Sequence, residues 1–72
     1  MEPDLENALN TILSDRKSYE TSLNYAIGYT RTAFVLTGHA LKVQLLYILN
    51  NISHWRHPEA KAVRETLRRH SK

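Results

Sequence analysis

The chain contains no cysteine, which excludes disulfide staples and thiolate zinc sites. Its two glycines and two prolines leave few turns, an argument against a multi-stranded sheet. No acidic residue occurs between Thr21 and Pro58, so the apolar middle holds no carboxylate that burial could tune for acid–base work. Serine and threonine sit in no nucleophile motif, and there is no glycine-rich phosphate loop. The chain is therefore read as a non-enzyme. Its most apolar stretches, Ala33–Leu36 and Ala40–Ile52, are interrupted by Gly38, His39, Lys42 and Gln44 and are too broken to cross a bilayer. With no cysteine and no signal-peptide pattern, a cytoplasmic location is expected.

What remains reads as helix. Seventy-two residues make one domain, 1–72, at a length where a single core is only just sufficient. Pro3 suits a first helical position, Asp4 and Glu6 favour the first turn, and Leu5, Ala8, Leu9, Ile12 and Leu13 form an amphipathic stripe. A break at Ser14–Ser18 is expected, with Asp15 or Ser18 capping a second helix. That helix is predicted from about Ser18 to Leu36, with Tyr19, Leu23, Ile27 and Phe34 inward. Gly28 inside it suggests a close approach by another backbone or a ligand. Thr37-Gly38 punctuates the chain, Gly38 by a left-handed conformation or Thr37 as a cap. A third helix is predicted over about His39 to His54. Its apolar arc is wide (Leu41, Leu45, Ile48, Ile52 and Trp55, with Val43, Leu46, Tyr47 and Leu49), so it is central or lies at a subunit contact. Pro58-Glu59 opens a fourth helix with Ala60, Val63 and Leu67 inward. The expected fold is an all-α bundle of three to four short helices, assembled as a homo-oligomer that buries the surplus apolar surface of the third.

Charge is unevenly spread. Met1–Asp15 carries Glu2, Asp4, Glu6 and Asp15 with no lysine or arginine, whereas His57–Lys72 carries five cations against Glu59 and Glu65. Lys61, Arg64, Arg68 and Arg69, with Lys72, form a candidate surface for DNA or RNA phosphates, unless the acidic first helix neutralises them. The third helix is too apolar for a helix-turn-helix recognition helix. His54 and His57 have an i, i+3 metal-ligand spacing but no nearby carboxylate or thiolate, so no metal site is assigned. Tyr25 and Tyr29 are i, i+4 neighbours. With Trp55 they supply rings that can stack on bases, while Arg31, Lys42 and Arg56 can neutralise phosphates.

The segment Leu46–Arg56, preceded by Thr37–Leu41, resembles short helical proteins encoded by bacteriophages and prophages. Leu46, Leu49 and Trp55, two leucines three apart and a tryptophan six further on, are similar to an element of the phage anti-CBASS sponge family. That resemblance covers about a quarter of the chain and implies cyclic-nucleotide binding between helices of an oligomer. The family's charged residues around this helix have no counterpart here. On this basis the chain is expected to be a non-catalytic binding protein, a phage-type inhibitor of host defence that sequesters a nucleotide signal or occludes a host protein. A small DNA- or RNA-binding regulator and a structural assembly factor are the alternatives.

Overall fold

The computed structural model describes all 72 residues. It is all-helical, with four α-helices, no strands and 67% of residues in helix. The helices are α1 (Pro3–Ser14), α2 (Ala26–Ala33), α3 (Gly38–Asn51) and α4 (Ala60–His70), with a 3₁₀ turn at Arg16–Ser18. The main packings run α1 on α2, α2 on α3, α3 on α4 and α4 on α1, a closed ring. The Cα radius of gyration is 10.8 Å, against about 11 Å expected for a folded chain of this length. No helix is long and apolar enough to cross a membrane.

The predicted stripes explain how α1 and α4 pack. Pro3 opens α1, and Leu5, Ala8, Leu9 and Ile12 are buried. On α4, Ala60, Val63 and Leu67 are buried. Pro58 and Glu59 precede α4 in a turn rather than occupying its first positions. The core also takes Leu23, Ala26, Ile27, Ala33, Leu45, Ile48, Ile52 and Trp55.

The second helix is much shorter than the predicted span from Ser18 to Leu36. The residues from Tyr19 to Tyr25 form turns because their polar groups satisfy backbone locally. The Ser18 carbonyl accepts the Thr21 amide at 3.2 Å and the Leu23 amide at 2.9 Å, and the Thr21 hydroxyl donates to the same oxygen at 3.4 Å. Such bonds compete with helix. Neither Asp15 nor Ser18 caps α2. Asp15 accepts the Ser18 hydroxyl instead, at 2.8 Å. Tyr19 still packs against the core, its hydroxyl donating to the Leu13 carbonyl. Phe34, predicted inward, is 37% exposed because α2 ends at Ala33 and leaves the ring beyond its neighbours' cover.

Gly38 adopts φ +57°, but it opens α3 rather than closing α2. Thr37 occupies the cap position with extended backbone and makes no side-chain cap bond. Gly28 has no close neighbour: nothing lies within 4 Å of where a Cβ would stand. Since its φ is not positive, Gly28→Ala should stabilise the protein by about 0.5–1 kcal/mol through helix propensity. A raised urea midpoint at unchanged slope is the expected readout, and a lowered midpoint counts against this geometry.

The third helix packs on α2 and α4, two neighbours as for every helix of the ring, so it is not the central helix predicted. Leu45 and Ile48 are buried, Leu41, Val43 and Leu49 half-buried, and Leu46 and Tyr47 remain exposed. The helix stops at Asn51, three residues short of the predicted His54. Ile52–Glu59 is therefore a connector that folds Trp55 into the core.

Candidate functional site

Trp55 anchors the connector. It is 2% exposed, and its indole N–H donates to Asp15 Oδ2 at 2.7 Å, joining the α3–α4 connector to the end of α1. The His57 ring stacks on it with centroids 5.2 Å apart, and Arg64 donates to its carbonyl at 3.3 Å. Trp55 is thus a core residue, and no face of its ring is free for a base. His57 is also committed, because its Nδ1 accepts the Glu59 amide at 3.0 Å. The His54–His57 pair gains no third ligand, as no cluster of three His, Asp or Glu side chains exists.

The indole N–H, followed by the Ser18 hydroxyl, holds the Asp15 carboxyl below the usual carboxylate range. The hydrogen bond from His70 does the same for Asp4. A carboxylate depressed by folding adds stability above its unfolded pKa, and that stability is lost as pH falls through the folded value. Stability should therefore decline below about pH 4. Asp15→Asn should make that decline shallower in acid-denaturation curves. A variant with the parent's acid profile would contradict the assignment.

The six residues read as a nucleotide site are not brought together. Tyr25, in the turn just before α2, and Tyr29, on α2, are exposed, and the Tyr29 ring lies 5.9 Å from that of Tyr47 on α3. Arg31 follows Tyr29 by two residues, about 200° around the helix, and so points to a different side. Lys42 lines a separate cleft of about 460 Å³ with Met1, Leu5, Phe34 and Leu41. Trp55 is buried, and Arg56 lies beside Lys61 in a groove at the start of α4.

The cationic residues of α4 have a clearer arrangement. Asp4 on α1 pairs with Arg69 at 3.4 Å and with His70 at 3.0 Å. These are the only ion pairs, so the acidic helix neutralises just one edge of α4. Arg69, read as part of the nucleic-acid surface, belongs to that edge. The reason is angular: Ala62, Val63 and Thr66 line the groove shared with α1, whereas positions 61, 64, 65, 68 and 72 recur at helical spacing on another face.

Three adjoining hollows extend this face into a band. The first, about 500 Å³ between α3 and α4, is lined by Leu46, Leu49, Asn50, Ser53, Arg64, Arg68, Ser71 and Lys72. The second shares Arg64 with it and adds Arg56, His57 and Lys61. The third shares Arg56 and His57 with the second and adds Arg16 and Lys17. The band holds seven cations (Arg16, Lys17, Arg56, Lys61, Arg64, Arg68 and Lys72) against Asp15 and Glu65, a net of +5. The remaining three cations and five carboxylates leave −2 elsewhere. Sequence reasoning missed Arg16, Lys17 and the role of Arg56 here, because only the fold brings the α1–α2 turn beside the connector. Comparison with protein-family models, with curated proteins and with solved structures finds no match for this chain.

Proposed function

We propose that this chain is a non-catalytic binding protein whose basic band docks on the phosphates of a nucleic acid. The observation that carries this reading is the band itself: seven cations around three contiguous hollows, none of them in an ion pair. Unpaired cations on one face attract a polyanion and release its condensed counterions, so affinity falls steeply with salt. Four to six phosphate contacts imply a slope of about −4 to −5 in log affinity against log salt. Anisotropy of a labelled oligonucleotide at several salt concentrations reads this slope, and absent or salt-independent binding would overturn the proposal. Glu65 is the one carboxylate within the α4 face. Glu65→Lys should tighten binding several-fold at low salt and steepen the slope by about one.

A second reading draws on the opposite chemistry. Tyr25 is 72% exposed, Tyr47 50% and Leu46 48%. Tyr29 and Tyr47, rings 5.9 Å apart, set an exposed aromatic pair between α2 and α3, a residue type enriched at protein interfaces. This supports the expected homo-oligomer, and also the occlusion of a host protein implied by the resemblance to phage anti-defence proteins. Native mass spectrometry separates the two: a discrete oligomer favours self-association, whereas a monomer leaves the face to another protein.

A further inference from the structure

We infer that the basic band takes double-stranded nucleic acid, held by its backbone, rather than a single strand. This rests on the nucleic-acid reading of the band and names its substrate class. Proteins that hold single strands combine a cationic groove with aromatic side chains on which successive bases stack. The one ring partly open to the band's hollows is the half-buried imidazole of His57, stacked on Trp55 by one face, so no series of rings is there for successive bases. Trp55 borders one of them but is 2% exposed and stacked against His57. The exposed rings of Tyr25, Tyr29, Phe34 and Tyr47 line none of the three. Bases splayed from a single strand would meet the aliphatic side chains of Leu46 and Leu49 and the polar side chains of Asn50 and Ser53.

The cations themselves suit a regular backbone. Lys61, Arg64, Arg68 and Lys72 recur every three or four residues, and all but Lys72 stand on the rigid α4. At 1.5 Å per residue the row is about 16 Å long. A duplex presents one charge per about 1.7 Å of its axis, so a straight row of that length faces a dense and regular set of phosphates. A flexible single strand would have to be ordered onto the row without any stacking to offset its lost freedom.

The experiment titrates the full chain against a DNA duplex of about 16 base pairs and against an unstructured single strand of about 32 nucleotides. The two probes carry nearly equal phosphate number, so a difference in affinity reports how the phosphates are arranged and whether bases stack, and not how many phosphates there are. The duplex should bind about tenfold or more tightly, and a Tyr25→Ala/Tyr29→Ala/Tyr47→Ala variant should bind it as the parent does. Equal or tighter binding of the single strand would overturn this inference while leaving the band's nucleic-acid reading intact. Failure to bind either probe would overturn both.

Discussion

Trp55→Ala should remove a large share of the protein's stability at 25 °C. Truncating a buried tryptophan costs about 3–5 kcal/mol, and a 72-residue domain has only about 4–11 kcal/mol in hand. Only 16 of 72 residues are buried, and Trp55 is the largest of the fully buried side chains, so its loss empties a large part of a small core. The indole also makes the single hydrogen bond between the connector and the α1 terminus. Trp55→Phe separates packing from polarity. It keeps most of the buried ring and loses the N–H, so it should cost about 1–2 kcal/mol. Urea denaturation followed by far-ultraviolet circular dichroism measures both. A Trp55→Ala variant with the parent's midpoint would show that the connector is not anchored as described.

Charge reversal on the band has the second large effect. Lys61, Arg68 and Lys72 are exposed and make no ion pair, so Lys61→Glu/Arg68→Glu/Lys72→Glu should retain the parent's helix content. It removes three phosphate contacts and adds three repulsive charges, which should weaken duplex binding by about a hundredfold or more at low salt. Arg69→Glu is the matched control for Arg68→Glu alone, since each changes the net charge by two, but Arg69 pairs with Asp4 on the α1 edge, so its reversal should change binding far less. Equal losses in the two single variants would mean that net charge, and not the band, governs affinity.

The parts of the fold legible in the sequence are those where one periodicity acts alone. The Leu5–Ile12 and Ala60–Leu67 stripes each place a single face inward, and both helices pack on those faces. Gly38 marked the turn before α3, although its left-handed conformation serves the start of that helix. The α2 region was read too long because Tyr19, Leu23 and Ile27 keep helical spacing through a segment whose serine and threonine groups bond locally instead. Trp55 extends the α3 stripe by the same arithmetic, yet it is buried from a non-helical connector.

The candidate surface was legible only along α4. Lys61, Arg64 and Arg68 could be grouped from their spacing on one helix. Arg69 could not be separated from them without knowing that α1 packs on its side. Arg16, Lys17 and Arg56 join the band through tertiary placement, which no local pattern encodes. The aromatic set is not one site for a related reason: Tyr25 and Tyr29 stand just before and on α2, while Trp55 is buried and Arg56 lies by the start of α4.

Amide chemical shifts, recorded as a short DNA duplex is titrated into the labelled chain, test the central claim most directly. The largest changes should fall on residues 61–72, on Arg56 and His57 and on the turn at Arg16–Ser18, with α2 and the Tyr47 face unmoved. Changes concentrated on Tyr25, Tyr29 and Tyr47, or none at all, would contradict it.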